Sequence, residues 1–187
     1  MADTAFSTLE TARLRLRRFR ENDLDAFVAY RSQPETARFQ SWDAPFPEAE
    51  ARAFLAELVT AHPDTPGQWF QFAVVRRDDD RLIGDIGLKR MLDDLPDTME
   101  VGYTLDARET GHGFASEAVA AVLDYAFSRG MARVEAWADT RHERSLALLA
   151  RMGFAPIEAP PRVGVFKGET CSDIGHVMTA QAWRTRR

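Results

Sequence analysis

The feature that most constrains the fold is a turn with two glycines in the middle of the chain, which reads Arg108-Glu109-Thr110-Gly111-His112-Gly113-Phe114-Ala115. The alternating segment before it, residues 99–105, predicts a strand, and residues 116–129 after it predict a helix. Gly111 and Gly113 tolerate positive φ and let the backbone approach a ligand closely. A glycine turn at a helix N-terminus offers free N–H groups and a positive dipole end, so the stretch predicts an anion site suited to phosphate.

Two familiar phosphate-binding patterns are excluded by the residues in this turn. No Lys-Ser or Lys-Thr follows the glycines, and the third glycine of G-x-G-x-x-G is replaced by Ser116. The turn does match R/Q-x-x-G-x-G/A, through Arg108, Gly111 and Gly113. A pattern this short also occurs as an ordinary helix-capping turn, so the remaining sequence has to decide between the two interpretations.

The segments around the turn predict the sheet. Residues 68–76, 81–89 and 99–105 are three strands with short connections, which favours an antiparallel meander. The strand at residues 133–139 follows a helix, so we expect it to lie parallel to the strand before the turn. The prediction is one α+β domain over residues 1–187, with a mixed, mostly antiparallel sheet of about seven strands, about four helices and a central βαβ unit.

Both ends of the chain carry weaker patterns. Residues 11–19 alternate, which predicts a strand with Leu14 and Leu16 buried and with its arginines, Arg13, Arg15 and Arg17, on a solvated face. Asn22 or Asp23 is expected to cap the following helix. Near the C-terminus we expect an exposed excursion over residues 160–170, a last strand over residues 173–179 and a frayed tail over residues 183–187.

Composition excludes several classes of function. The net charge of −5 disfavours nucleic acid as a partner, and the single cysteine, Cys171, excludes an internal disulfide and suits a reducing compartment. The four histidines lack metal-ligand spacing, so no metal is expected. No apolar run is long enough for a bilayer and the first residues lack a leader pattern, which predicts a cytoplasmic protein without membrane contact.

Five motifs in order resemble the GNAT family of N-acetyltransferases, specifically the branch of the ribosomal-protein (Rim-type) acetyltransferases. They cover nearly the whole chain and read Leu16-Arg17-Arg18-Phe19, Ile83-Gly84, Glu100-Val101-Gly102-Tyr103, Gly111 to Ala118, and His142-Glu143-Arg144-Ser145 through Gly153-Phe154. The resemblance implies a GNAT-like sheet with a central acetyl-CoA site. It also implies acetyl transfer from acetyl-CoA to a primary amine by direct attack in a ternary complex.

The resemblance assigns cofactor-binding residues. It implies that backbone N–H groups hold the pyrophosphate, in the residues Thr110, Gly111, His112, Gly113, Phe114 and Ala115. Arg108 either adds charge there or is a surface arginine, and the backbone around Tyr103 and Leu105 pairs with the pantetheine arm. The family usually has Asn where this chain has His142, so the pantetheine contact of that position is open, although an imidazole could replace it.

The resemblance also points to catalytic and acceptor residues. It implies that Ser145 donates to the thiol and that Glu100 accepts the amine proton. The alternatives are an ordinary serine in the first turn of a helix for Ser145 and a structural ion pair for Glu100. His112 and His142 are rival bases because histidine titrates near neutrality. Trp42 and Phe46, in the aromatic loop over residues 35–47, are expected either to line the acceptor site or to anchor that loop on the core.

The acceptor itself is not defined by these patterns. A protein N-terminus and a small amine both fit, an aminoglycoside or polyamine is a further option, and dimers are frequent in families like this. A non-catalytic acyl-CoA-binding module is the alternative from another class, because His142 departs from the family pattern. Turnover in a thiol-release assay separates that module from an enzyme.

Overall fold

The architecture was derived from a computed structural model that describes residues 8–92, 95 and 97–186. The strands are β1 (Thr8–Glu10), β2 (Leu14–Arg17), β3 (Trp69–Arg76), β4 (Leu82–Arg90), β5 (Thr98–Leu105), β6 (Arg133–Asp139), β7 (Ala155–Pro156), β8 (Arg162–Phe166) and β9 (Glu169–Thr179). The helices are α1 (Leu24–Arg31), α2 (Pro34–Ala37), α3 (Glu48–Thr60), α4 (Phe114–Ser128), α5 (Glu143–Met152) and α6 (Ala180–Thr185). Residues 1–7, 93, 94, 96 and 187 lie outside the described residues, so the predictions for the N-terminal segment and for the last residue of the tail are not tested.

The strands form one mixed sheet in the order β1-β2-β3-β4-β5-β6-β9-β7, and β8 pairs with β9. The meander β3-β4-β5 is antiparallel and β6 is parallel to β5, so both sheet predictions are confirmed. The α+β class and the central βαβ unit are confirmed with them. In the described part of the chain, no helix has the length and apolar composition needed to cross a bilayer.

The parallel contact between β5 and β6 is short. Only three residue pairs join the strands, ending at Glu100 opposite Glu135. Beyond that pair β5 continues to Leu105 on β4, and β6 continues to Asp139 on β9. The two strands therefore diverge and leave a cleft in the sheet, which opens toward the glycine turn that follows β5.

Two apolar clusters cover the two faces of the sheet. The larger cluster packs α4 and α5 on the face that carries Met99 and Val101 of β5. The smaller cluster packs α1 and α3 against Ala73 and Val75 of β3. The face opposite α4 is left partly open beyond α1 and α3, so Trp69 is 37% exposed.

Several expectations are corrected at the N-terminal side. Leu14 and Leu16 are fully buried as expected, but Arg17 is not on a solvated face, since it is buried in an ion pair with Asp23 at 2.7 Å. The Asp23 side chain does not cap α1 either. It accepts from Arg17 and from the backbone N–H of Arg20, because a buried guanidinium requires a carboxylate partner.

Four further elements raise the numbers to nine strands and six α-helices in the described chain. The excursion over residues 160–170 contains β8, because Lys167 and Gly168 both adopt positive φ, the geometry of a tight hairpin turn. The tail is not frayed at Trp183, which is buried within α6 and donates to Asp124 at 2.8 Å. Residues 34–37 of the aromatic loop form the short α2, and β1 is separate from β2.

Candidate active site

The glycine turn has the backbone geometry that the sequence predicted. Gly111 has φ of 83° and Gly113 has φ of 81°, both in the left-handed region. A Cβ placed on Gly111 would meet nothing within 4 Å, so the turn borders open space. Gly113 is the N-cap of α4, whose first residue is Phe114, so the dipole of a fifteen-residue helix ends at the turn.

The backbone N–H groups of this turn are available to a ligand. Among the described residues, no protein acceptor is found for the N–H groups of residues 111–116. Consecutive free N–H groups at the positive end of a helix favour a bound anion. The turn is therefore a phosphate-sized anion site built from backbone, as the sequence predicted.

The turn is anchored from its outer side by Arg13. This arginine donates to the His112 carbonyl oxygen at 2.9 Å, pairs with Glu117 at 2.7 Å and lies 4.6 Å from the centre of the Phe114 ring. Burial raises the pKa of Glu117, but hydrogen bonds from Thr11 and Arg13 outweigh burial and lower that pKa. These contacts hold the start of α4 without using the N–H groups of the turn.

Arg108 is paired within the chain. Its guanidinium contacts Asp106 at 2.6 Å while its side chain stays 63% exposed. Asp106 also accepts from Gln33 at 2.9 Å and from Arg81 at 3.2 Å. Burial raises the pKa of Asp106, but its donors, Arg108 first, lower it to about 2. The structure thus places Arg108 beside the turn, and its contact with a pyrophosphate stays a prediction.

The inner edge of the cleft is the backbone of β5. The Asp106 N–H donates to the Ile83 carbonyl of β4 at 2.8 Å, and such bonded positions alternate along an antiparallel pair. Tyr103 and Leu105 therefore direct their N–H and C=O groups away from β4 and toward the cleft. Their carbonyl oxygens accept long hydrogen bonds from Gln40 at 3.5 Å and Thr36 at 3.4 Å.

Two hydroxyl groups meet across the cleft. The Tyr103 Oη of β5 lies 2.7 Å from the Ser145 Oγ of α5, and Ser145 is only 8% exposed. Burial raises the pKa of Tyr103 to about 12, although the Ser145 hydrogen bond lowers it. Tyr103 therefore keeps its proton at neutral pH, and the two hydroxyl groups form a continuous donor–acceptor pair.

His142 is the N-cap residue of α5. Its Nδ1 accepts from the Ser145 backbone N–H at 3.1 Å, and its ring lies 4.3 Å from the ring of Phe39. Burial lowers the pKa of His142 below its ordinary value. The other candidate base, His112, is exposed in the turn and lies 5.8 Å from the Phe114 ring.

Glu100 lies at the last residue pair before the strands diverge. Its carboxylate pairs with Lys89 of β4 at 3.1 Å, and its side chain is 13% exposed. Lys89 in turn lies 4.6 Å from the Trp69 ring on the open face of the sheet. The ion pair given as the alternative for Glu100 is thus present, and the role of Glu100 as a base stays a prediction.

Trp42 and Phe46 pack on Arg31 of α1. The Arg31 guanidinium lies 3.9 Å from the Trp42 ring and 5.5 Å from the Phe46 ring, and Trp42 Nε1 donates to the Arg31 carbonyl at 3.0 Å. Phe46 is buried in the smaller apolar cluster. Both aromatics anchor the loop, and their contact with an acceptor stays a prediction.

Arg31 is itself held by a buried carboxylate. It contacts Asp85 of β4 at 3.2 Å, and Tyr30 donates its hydroxyl to the same carboxylate. Burial, together with the negative charge of Asp85, raises the pKa of Tyr30 well above its ordinary value. The loop over residues 38–47 is called the acceptor loop below, after the acceptor contact predicted for its aromatic residues. It packs on Arg31, which is held in place by Asp85.

The β8–β9 hairpin reaches the same loop from the other half of the sheet. Lys167 at its tip donates to the Ala37 carbonyl at 2.8 Å and to the Trp42 carbonyl, and pairs with Asp43 at 3.3 Å. The turn between β8 and β9 thus connects the hairpin to the acceptor loop through the Lys167 side chain.

Cys171 takes no part in these contacts. Its thiol donates to the Gly164 carbonyl at 3.4 Å. Cys171, Asp139 and Asp173 each bring one potential ligand atom within 4.8 Å of the others, but Asp139 is already paired with Arg141 at 2.6 Å. The cysteine remains outside the chemistry that the cleft supports.

Sequence reasoning missed two contributors to the site, the Tyr103 side chain and Lys167. Phe39 belongs to the aromatic loop that was expected to line the acceptor site or to anchor on the core, but its contact with His142 was not predicted. A Lys-Gly pair at positions 167 and 168 is a turn signal that could have identified the hairpin. No local signal could have joined Tyr103 to Ser145 or Phe39 to His142, because both contacts connect distant segments.

Comparisons with known proteins bear on the family and the fold of the chain. Residues 13–155 match the family model described as an acetyltransferase (GNAT) domain. The uncharacterized N-acetyltransferase p20 of Bacillus licheniformis is 32% identical over 148 residues, which cover 79% of this chain and 82% of that protein.

Solved structures share the fold at lower identity. A GNAT-family acetyltransferase from Bacillus anthracis superposes with a TM-score of 0.81 at 20% identity, covering 93% of this chain and 99% of that one. RimL, described as a ribosomal L7/L12 α-N-protein acetyltransferase in complex with coenzyme A, superposes with a TM-score of 0.79 at 17% identity, covering 94% and 99%.

Proposed function

The chain belongs to the GNAT family of N-acetyltransferases, and from that premise we propose that it moves the acetyl group of acetyl-CoA to a primary amine by direct attack in a ternary complex. The observation that carries the proposal is the row of free N–H groups at the glycine turn, next to the diverging strands. GNAT enzymes use acetyl-CoA, and the RimL neighbour is in complex with coenzyme A.

The residues around the cleft fit acetyl-CoA. The N–H groups from Gly111 to Ala115 suit its pyrophosphate, and the backbone groups of Tyr103 and Leu105 that face the cleft suit the amides of its pantetheine arm. The thioester supplies an activated acetyl group when it is bound. Arg108 lies close enough to the turn to add positive charge if it exchanges Asp106 for a phosphate.

Ser145 and Tyr103 are assigned to protonation of the thiolate that leaves. Ser145 Oγ would donate its proton to the sulfur and take the proton of Tyr103 Oη through their 2.7 Å contact. Tyr103 holds that proton at neutral pH because its pKa is raised to about 12. The negative charge would then lie on the Tyr103 oxygen, which would regain a proton from solvent after coenzyme A leaves.

Glu100 is assigned to the amine. Its carboxylate borders the inner end of the cleft on the open face of the sheet, where an acceptor can approach from the side opposite α4. The carboxylate accepts the amine proton directly or through one water, and Lys89 is the cation that accompanies it. Trp42 and Phe46 contribute by holding the acceptor loop in place.

We assign the chain to the Rim-type branch because of its sequence motifs. The segment that begins at His142 and contains Ser145, together with Glu100-Val101-Gly102-Tyr103, supports that branch. The acceptor is then a protein N-terminus or a small molecule with a primary amine.

Two glycine variants at opposite ends of α4 test acetyl-CoA binding. Gly111 and Gly130 have φ of 83° and 85°, and a Cβ on either meets nothing within 4 Å, so Gly111→Ala and Gly130→Ala introduce the same backbone strain. We expect similar losses of thermal stability in the two variants. Only Gly111→Ala should weaken the binding of acetyl-CoA in calorimetry, by roughly tenfold or more, because its methyl group enters the anion site.

Equal affinities in the two variants would contradict the assignment of the turn. Release of coenzyme A thiol with a panel of N-terminal tripeptides and small primary amines then tests turnover. Binding of acetyl-CoA without turnover on any acceptor would favour a non-catalytic acyl-CoA-binding module.

A further inference from the structure

His142 connects three parts of the cleft. Its Nδ1 accepts the Ser145 N–H at the first turn of α5, and its ring packs on Phe39 of the acceptor loop. The Oγ of the same serine contacts Tyr103 of β5. One unbroken set of contacts thus runs from the acceptor loop through His142 and Ser145 to the inner strand of the cleft.

The capping contact requires one protonation state. An imidazole nitrogen accepts a hydrogen bond only while it carries a lone pair, so Nδ1 must be unprotonated and the ring proton must be on Nε2. The usual N-cap residues, Ser, Thr, Asn and Asp, accept through oxygen across the neutral range of pH. The cap of α5 therefore depends on pH in a way that the asparagine common in the family would not.

We propose that neutral His142 is a positioning residue that fixes Ser145 for acetyl transfer and orders the acceptor loop through Phe39. The inference rests on the proposed function, since Ser145 is assigned to the thiolate there. Loss of the cap releases the Ser145 N–H, and the hydroxyl pair with Tyr103 loses its alignment.

Charged groups from three elements surround the ring. Burial lowers the pKa of His142 below 6.5, Asp139 at the end of β6 raises it, and Arg144 of α5 and Arg38 of the acceptor loop lower it. Tyr103 of β5 stays neutral in the same range because its pKa is about 12. The net effect keeps His142 neutral at pH 7, which is the state that the cap requires.

Because the pKa of His142 is lowered in the folded chain, low pH weakens the cap of α5. The unfolded chain takes up a proton on His142 near pH 6.5, while the folded chain resists it until lower pH. Protonation therefore favours the unfolded or uncapped state, and the cap weakens as the pH falls below 6.5. Above that pH the residue contributes no further pH dependence.

Two substitutions separate capping from titration. His142→Asn keeps a side-chain acceptor that does not titrate, and His142→Ala removes the acceptor. With saturating acetyl-CoA and one active acceptor, we expect kcat of His142→Asn within about twofold of wild type at pH 8, and kcat of His142→Ala lower by roughly tenfold or more. The ratio of wild-type to His142→Asn kcat should then fall as the pH drops from 7.5 to 5.5, while the ratio of His142→Ala to His142→Asn stays constant.

Two results would overturn the inference. One is a ratio of wild-type kcat to His142→Asn kcat that does not change with pH, and the other is a kcat of His142→Ala equal to that of the wild type. Nitrogen NMR of the imidazole gives a readout that does not require turnover, and it should show Nδ1 without a proton at pH 7.5. A protonated Nδ1 would overturn the capping role whatever the activity. The proposed function and the cap can fail separately. If no acceptor is acetylated, the proposed function is contradicted. The cap is still established in that case if Nδ1 is unprotonated and the Ser145 amide is protected from exchange only while His142 is neutral.

Discussion

At the scale of single residues, the proposed mechanism assigns cofactor binding to backbone groups and proton transfer to side chains. The anion site at Gly111 needs no side chain, since its N–H groups and the helix dipole supply the attraction. The proposal places the protonation of the leaving thiolate on Ser145 and Tyr103, whose hydroxyl groups are in contact and of which Tyr103 has a raised pKa. Substitutions in the two groups should therefore separate binding from turnover.

Ser145→Ala should lower kcat by about 100-fold and change the dissociation constant of acetyl-CoA by less than about twofold, because the hydroxyl acts on the leaving sulfur and the backbone holds the cofactor. Ser128→Ala is the matched control, since its hydroxyl donates to the Tyr125 carbonyl at 2.7 Å, at the exposed end of α4. Steady-state thiol release and calorimetry measure both quantities. An unchanged kcat in Ser145→Ala would remove the serine from the mechanism.

The residues of the site differ in how well the sequence predicts them. The left-handed glycines at 111 and 113 were predictable because their conformation depends on local backbone sterics. The contact of Tyr103 with Ser145 joins residues 42 positions apart, and that of Lys167 with Ala37 joins residues 130 positions apart. Such contacts depend on how the sheet brings the segments together, which residue patterns do not encode locally.

At the scale of elements, the acceptor loop is held by three different segments. Arg31 of α1 contacts its aromatic side chains, His142 at the start of α5 contacts Phe39, and Lys167 of the hairpin contacts its carbonyl groups. The hairpin and α1 belong to opposite halves of the sheet. The loop therefore connects the two halves of the sheet on either side of the cleft, and the proposed function places the acceptor on this side.

Lys167→Asn should release this loop. Asparagine tolerates the left-handed conformation that Lys167 adopts, at φ of 52°, so the turn is kept and only the ammonium contacts are lost. Amide hydrogen exchange over residues 38–46 should become faster, with acetyl-CoA affinity unchanged.

Asp80→Asn is the control for that variant, because Asp80 has φ of 57° in the turn between β3 and β4 and pairs with Arg15 on the surface. Its effect on exchange in the acceptor loop should be negligible. Equal exchange rates in Lys167→Asn and wild type would show that the lysine does not order the loop.

At the scale of the whole molecule, the sequence predicted the central sheet better than its margins. The meander and the crossover strand have clear apolar patterns, and both are buried on the face that packs against α4. The margins depend on long-range packing: Trp183 makes α6 part of the larger cluster, and β8 exists because it pairs with β9 while Val163 stays 71% exposed. A short amphipathic tail and an exposed strand carry too little pattern to be recognised before the fold is known.

Trp183→Ala tests whether α6 belongs to the folded core. Trp183 is 8% exposed, so we expect a loss of about 3 kcal/mol from the cavity that alanine leaves. In a protein of this size that corresponds to a thermal midpoint lower by roughly 6–12 °C. Trp183→Phe keeps most of the volume and loses the hydrogen bond to Asp124, so its midpoint should fall less.

An unchanged midpoint in Trp183→Ala would restore the original expectation of a frayed tail. Differential scanning calorimetry without ligand is the suitable measurement, because a bound acyl donor would add its own stabilisation.

The three residue pairs between β5 and β6 have a mechanical consequence. The strands from β1 to β5 and those from β6 to β9 form two halves of the sheet that are joined by this short pairing, and the chain passes from one half to the other through α4. A ligand that pairs with β5 where the two strands diverge would act like an additional strand, because it would supply hydrogen bonds that the sheet lacks there. The rigidity of the sheet would then depend on whether the acyl donor is bound. We expect the sheet to be more rigid before acetyl transfer than after coenzyme A has left.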